Sequence, residues 1–210
     1  AHFMMATALE EAGRPVEAAH ERALSLEKKK WLAFLVRRQE QLRENPEDPR
    51  IHLSLGILWM EAGRLERAGF HLGEAHRLDP TDPRILFNRG DWHRRLGRPT
   101  EAEADWRAAL EHDAAFAACL YNLGLLFAKQ GRLEEAEGFL GKAWQADPDG
   151  TTDESLREVP KHLGSVAESR GDADTARRWY RLYKERGGQD PFVDRRLDAL
   201  GGSSPPPVHR

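Results

Sequence analysis

Asn88 and Asn122 lie 34 residues apart, each among cations: Arg84, Arg94 and Arg95 near the first, Lys129 near the second. A carboxamide carries both an N–H donor and a carbonyl acceptor. A backbone peptide unit offers the matching acceptor and donor, so a row of such amides suits an extended polypeptide. Guanidinium and ammonium groups beside it suit carboxylates. Other chemistry is poorly provided for. The stretch "GFLGKAW" at 138–144 lacks the full phosphate-loop spacing and its Ser/Thr. HExxH, GxSxG and GxGxxG are absent from the sequence. The nine histidines are scattered, and His71 and His76 stand five apart rather than on one helix face. No catalytic residue, metal site or cofactor is expected, and the chain is not read as an enzyme.

The composition fits that reading. The chain has 210 residues, 40% hydrophobic and 32% charged, with a net charge of -3. This is enough for one or two ordinary domains or one elongated array. The charge argues against general nucleic-acid binding, which rests on neutralising phosphates. No apolar run approaches the ~20 residues of a spanning helix, so membrane insertion is not expected. Cys119 is the only cysteine, which excludes an internal disulfide and agrees with a reducing cytosol. A cytoplasmic location is the expectation. Ala rather than Met at position 1 leaves room for a trimmed N-terminus and a lost export signal. Arginines number 25 against 7 lysines, a usage that points to a GC-rich, bacterial genome.

The elements that must position the amides repeat with the same period. "NPEDPRI" from Asn45 returns as "DPTDPRI" from Asp79, 34 residues on. Gly56, Gly90 and Gly124 share that step, as do Gly63, Gly97 and Gly131, and Ala68, Ala102 and Ala136. A fourth unit has Gly164, Gly171 and Ala176, each 40 residues beyond its predecessor, with the extra residues in the polar "DPDGTTDESL". Each unit reads as two helices. Asp48 and Asp82 stand at the N-cap before a proline at the first helical position. Helix A runs over about 49–62 and stops at Gly63, and helix B runs over about 66–79 and ends before Pro80.

This pattern resembles the tetratricopeptide repeat, whose units place Leu-Gly, aromatics, Ala and Pro at fixed slots. His52, Leu55, Gly56, Trp59, Ala68, Leu72 and Pro80 occupy them in the first clean unit, and Leu120, Leu123, Gly124, Phe127, Ala136, Leu140 and Pro148 in the third. The second departs with Arg89 and His93 in usually apolar slots, where pairing with a neighbouring acid is expected, and with Ala114 in place of Pro. The resemblance covers 49–190 and implies an all-α solenoid. The expected division is a degenerate N-terminal repeat at 1–48, units at 49–82, 83–116 and 117–150, and a degenerate unit at 151–190. A capping helix at 191–201 and a flexible tail at 202–210 follow. The hairpins are expected to stack in a right-handed arc. In the capping helix Asp190 is the N-cap and Phe192, Leu197 and Leu200 the buried stripe. Between Pro15 and Pro46 there is no Gly or Pro, and Leu24, Trp31, Leu35 and Leu42 recur near a heptad period. One helix of about 28 residues, or two joined near Lys28–Lys30, would both fit.

The repeated Gly and Ala slots are packing positions, so function must lie on the other face of helix A. That face runs at spacings of four, three and four. It reads Arg50, Ser54, Ile57, Glu61; Arg84, Asn88, Asp91, Arg95; Ala118, Asn122, Leu125, Lys129; and Glu158, His162, Ser165, Ser169. Beside it lie Leu53, Phe87, Arg94 and Tyr121. The candidate groove residues are Arg50, Leu53, Arg84, Phe87, Asn88, Asp91, Arg94, Arg95, Tyr121, Asn122, Leu125, Lys129 and His162. In stacked hairpins the A helices line the concave, binding side. A similar asparagine ladder in the O-GlcNAc transferases of the family implies capture of peptide backbone. With Lys161 and Glu168, which also lie beside it, this face has six cations (Arg50, Arg84, Arg94, Arg95, Lys129, Lys161) against four carboxylates (Glu61, Asp91, Glu158, Glu168), which favours a mildly acidic peptide. The resemblance does not extend to the family's chaperone-tail clamp, since Leu53 and Ile57, and Phe3 and Thr7, stand where its Lys and Asn would be. The leading expectation is a scaffold for a peptide or partner protein. The alternatives are an assembly role through the convex face or the long N-terminal helix, or a regulatory region of a larger enzyme. The sequence leaves the oligomeric state open.

Overall fold

The computed structural model describes residues 2–201, so the expected tail at 202–210 lies outside the described residues. Eleven α-helices and one short 3-10 helix make up the secondary structure of the described residues. They are α1 (His2–Glu11), α2 (Pro15–Glu44), α3 (Pro49–Glu61), α4 (Leu65–Leu78), α5 (Pro83–Arg95) and α6 (Pro99–His112). Then follow α7 (Ala117–Lys129), α8 (Leu133–Ala146), α9 (Val159–Ser169), α10 (Ala173–Glu185) and α11 (Pro191–Gly201). Consecutive pairs form five hairpins, α1–α2 through α9–α10. The described residues divide into two compact units, one up to Pro80 and one from Thr81 onward, at the joint that carries "DPTDPRI".

In the first unit α2 is one unbroken 30-residue helix, which answers the open choice between one helix and two. It spans about 45 Å at 1.5 Å per residue. Arg22 bonds Glu10 of α1 at 2.6 Å, and further along Trp31 meets Trp59 of α3 edge to face at 5.8 Å. Leu35 is buried, whereas Leu24, Leu26, Leu32, Phe34 and Val36 remain exposed. Asp48 caps α3 by accepting from the Arg50 backbone N–H at 2.9 Å, and Pro49 supplies the first residue. Between α3 and α4, His52 and His71 face each other with Nδ1 atoms 3.2 Å apart, and His52 Nε2 lies 3.1 Å from the Pro46 carbonyl.

The second unit repeats the hairpin three times. Its core runs from Leu86 through Trp106, Phe127 and Leu140 to Leu163 and Val166. The helices approach closely at their glycines: a Cβ on Gly90 would sit 2.5 Å from Trp106 Nε1. The lengthened stretch before α9 is tied down by Asp147, which accepts from the Thr151 and Thr152 backbone N–H groups at 2.9 and 2.7 Å and from both hydroxyls. Those bonds, that of the Thr152 hydroxyl foremost, hold its carboxyl well below the usual carboxylate range. The 3-10 helix Glu154–Glu158 then buries Leu156 completely.

Helix α11 closes the unit on Leu197 and Leu200 as expected, but with Val193 rather than Phe192 as the third member of the stripe. Val193 is fully buried and Leu197 and Leu200 pack beside it, while Phe192 is 39% exposed. The set 193, 197, 200 follows the i, i+4, i+7 spacing of one helix face, which 192 leaves. Asp190 caps the helix as expected, accepting from the Phe192 backbone N–H at 2.9 Å.

Candidate functional site

The A-helix face of the second unit is carried by α5, α7 and α9. On α5 nearly every polar group is engaged close at hand. Arg84 reaches back to Asp82 at 2.6 and 3.1 Å, which holds that carboxyl below its ordinary value. Asn88 Nδ2 donates to the Arg84 carbonyl one turn earlier at 2.7 Å. Asp91 accepts from Arg94 Nε and Arg95 Nε, each at 2.8 Å. Phe87 turns toward Phe116, with ring centroids 5.1 Å apart. Inside the hairpin, Arg89 clamps Asp105 through two nitrogens, one at 2.9 Å, and His93 Nε2 lies 3.7 Å from the same carboxylate. The expected acid partner of this polar pair is therefore Asp105, from α6.

Helix α7 is built differently. Ala118 and Tyr121 are buried, Leu125 is half-buried and Lys129 is exposed. Among the described residues the Asn122 carboxamide and the Lys129 ammonium have no hydrogen-bond or ion-pair partner. Both line a cleft of about 710 Å³ with Leu125, Leu126, Gln130, Arg94 and the turn residues Gly97 and Pro99. Gly97 takes a left-handed φ of 73°, letting the chain leave α5 and place Pro99 at the start of α6. Sequence reasoning missed Gly97, Pro99, Leu126 and Gln130. A signal existed at Pro99, which stands where the neighbouring units have Leu65 and Leu133.

On α9 the face closes again. His162 packs its ring 5.7 Å from that of Tyr121, and burial, reinforced by Lys161, depresses its pKa to about 4. Burial raises the Tyr121 phenol above its ordinary value. Lys161 bridges Glu158 and Asp190. Ser165 and Ser169 donate to the carbonyls of Lys161 and Ser165, one turn back.

Of the thirteen candidate groove residues, the cleft brings together Arg94, Asn122, Leu125 and Lys129. Arg84, Asn88, Asp91 and Arg95 form a self-bonded stripe on α5. Phe87, Tyr121 and His162 serve packing in that unit. Arg50 and Leu53 belong to the first unit, where Arg50 bonds Asp48 at 2.9 Å and Leu53 is buried. Most cations of the expected basic face are thus already matched by carboxylates.

Among the described residues no group of three or more His, Cys, Asp or Glu side chains could hold a metal ion. The Cys119 thiol is buried, which raises its pKa and keeps it from acting as a thiolate. Among those residues no helix is long and apolar enough to cross a membrane.

The tetratricopeptide repeat profile matches residues 32–83 and 87–151, more than half of the chain. The chain belongs to the tetratricopeptide repeat family. None of the curated proteins compared matches it. Solved structures of this repeat protein's fold include PilF of Pseudomonas aeruginosa, 24% identical over 72% of this chain and 67% of that one, with a TM-score of 0.64. PilW, described as a widely conserved type IV pilus biogenesis factor, is 18% identical over 96% of this chain and 86% of its own, with a TM-score of 0.67. YrrB, described as having an unusual peptide-binding site, is 18% identical over 78% and 81%, with a TM-score of 0.66. At these identities the likeness is one of fold. The family is one of protein-interaction modules, and that coarse function applies to this repeat protein too.

Proposed function

We propose that this chain is an interaction scaffold that holds an extended segment of a partner protein against the A-helix face of its second unit. The observation that carries this reading is the open stripe of α7. Asn122, Leu125 and Lys129 are unsatisfied by the chain's own groups and share one cleft, whose volume is in the range of small-ligand sites. An amide that finds no partner at home is free to pair with the N–H and C=O of another chain. An affinity capture comparing the wild type with Leu125→Asp tests it. The new carboxylate would sit four residues before Lys129, pair with it and close the stripe as Asp91 closes that of α5. Proteins retained by the wild type and lost by Leu125→Asp are the expected result, with a melting curve that shows the variant still folded, since Leu125 packs in part against the core and its loss lowers stability. Identical retention by both would refute the groove.

A second reading has its own support. Met4, Met5, Val16, Leu24, Leu26, Leu32, Phe34 and Val36 of the first unit are exposed large apolar residues, Val16 at 82%. Scattered single apolar residues are ordinary, but so many on one hairpin favour a covered surface. In this reading α2 is an assembly surface. Leu26→Glu with Phe34→Glu would then lower the sedimenting mass or abolish capture, whereas Leu125→Asp would not.

A further inference from the structure

The cleft on α7 has a chemical order that its family membership does not supply, and the inference drawn from it rests on the groove reading above. Asn122 stands at one end of the open stripe and Lys129 at the other, with Leu125 and Leu126 between them on the helix and Pro99 adding to the apolar lining of the cleft. Seven residues of α-helix separate the two polar ends by about 10 Å. An extended chain rises about 3.3 Å per residue, so roughly three residues span that distance. We infer that the cleft takes an internal, extended peptide segment in which a large apolar side chain is followed or preceded, two or three positions away, by Asp or Glu.

Each part of that motif answers to a group of the cleft. The Asn122 amide has both a donor and an acceptor to satisfy, and a peptide unit within a chain offers both. A terminal carboxylate accepts only and would leave the Oδ1 atom unmatched, which is why the segment is internal. The apolar anchor removes Leu125, Leu126 and Pro99 from water. Lys129 is the cation of the cleft that needs a partner, because Arg94 is already held by Asp91. An acidic residue therefore gains there what the chain itself does not provide. The exposed position of Lys129 makes this pairing a selector among segments and the apolar contact the larger source of affinity.

A display library of random heptapeptides, panned in parallel on the wild-type chain and on Lys129→Glu, tests the motif. Lys129 is exposed at the end of its helix, so the variant keeps the fold, and equal melting curves verify this. The wild type should enrich an apolar residue with Asp or Glu two or three positions away. Lys129→Glu should keep the apolar residue and exchange the acid for Lys or Arg. A synthetic peptide taken from the wild-type selection should lose about fivefold in affinity on Lys129→Glu, and less at high salt. Enriched peptides with no acid preference, or an acid preference that survives Lys129→Glu, overturn this motif. They leave the groove reading standing if those peptides still lose affinity on Leu125→Asp. Peptides indifferent to Leu125→Asp, or no enrichment above a blank surface, overturn both.

Discussion

Helices α5 and α7 occupy the same place in successive units, 34 residues apart, and expose the same stripe, yet one is closed and the other open. On α5 the stripe reads Arg84, Asn88, Asp91, Arg95, and its members bond to one another or to Asp82. On α7 it reads Ala118, Asn122, Leu125, Lys129. Replacing Asp91 by its counterpart Leu125 removes the carboxylate that would have engaged Lys129. The backbone register is identical, so the difference is one of side-chain bookkeeping. A polar surface already satisfied gains little from a ligand, because any new bond must displace an old one. The interior of the two hairpins differs in the opposite sense. Arg89 and Asp105 meet between α5 and α6, where α7 and α8 place Leu123 and Phe139. The closed stripe thus lies over a polar interior pair and the open stripe over an apolar one.

The largest expected effect comes from breaking that interior pair. Asp105 is buried, and Arg89 is only 23% exposed, so Asp105→Ala leaves a guanidinium without its partner in a mostly dry place. Breaking a fully buried pair costs ~3–5 kcal/mol; solvent reaches Arg89 in part, so about 2–3 kcal/mol is expected here. For a chain of this length that lowers the melting temperature by roughly 5–10 °C. The double variant Arg89→Leu with Asp105→Phe copies the next unit and should recover most of the loss, as apolar replacements of buried ion pairs commonly do. Thermal denaturation of the single and double variants distinguishes an ion pair that sets stability from one that the fold merely tolerates.

Acid should act next, and through histidine. His162 beside α7 and His71 of the first unit are both depressed to about 4, chiefly by burial. Both are neutral in folded and unfolded chain above about pH 6.5. As pH falls from there toward 4, the unfolded chain takes up protons that the folded chain refuses, so stability declines across that window. Asp48, Asp82 and Asp147 are held below their ordinary values, so their contribution persists until pH falls below the usual carboxylate range. The melting temperature should therefore drop between pH 6.5 and 4.5, with a shallower slope in His71→Gln with His162→Gln. An unchanged slope in that double variant would assign the loss to other groups.

Much of the architecture could be read from spacing. The 34-residue register of Gly56, Gly90 and Gly124 and the Asp-Pro caps fix where helices begin and which face is buried, because close approach and capping leave few residue choices. The unbroken α2 was a matter of absent breakers between Pro15 and Pro46. The stripe of α11 was less legible: Phe192 is the larger apolar residue, but the helix phase set by Asp190 turns Val193 inward instead. The site was legible as a face and not as a state. Asn88 and Asn122 look alike in sequence, and the difference lies in whether the carbonyl one turn earlier captures the amide. The counted charge of the face misled for the same reason, since Arg84, Arg94, Arg95 and Lys161 are each answered by a nearby carboxylate.

The finest contrast is between the two asparagines themselves. Asn88→Ala removes a side chain whose donor is spent on its own helix, at a partly exposed position. Such a bond competes with the backbone rather than supporting it, so stability should change by no more than about 0.5 kcal/mol. Affinity for a peptide selected on the wild type should not change. Asn122→Ala removes an amide that the chain leaves unpaired and that faces the cleft. Its loss should spare the melting temperature as well, but cost the bound peptide hydrogen bonds worth ~0.5–1.5 kcal/mol, or about three- to tenfold in affinity. The two variants are thus alike in stability and unlike in binding. Fluorescence anisotropy with one labelled peptide on both proteins measures the contrast. Equal losses would mean that Asn88 leaves its carbonyl when a partner arrives and that both rows of the groove act together. Equal indifference would mean that the peptide is held by its side chains alone, through Leu125 and Lys129, with the amide a bystander.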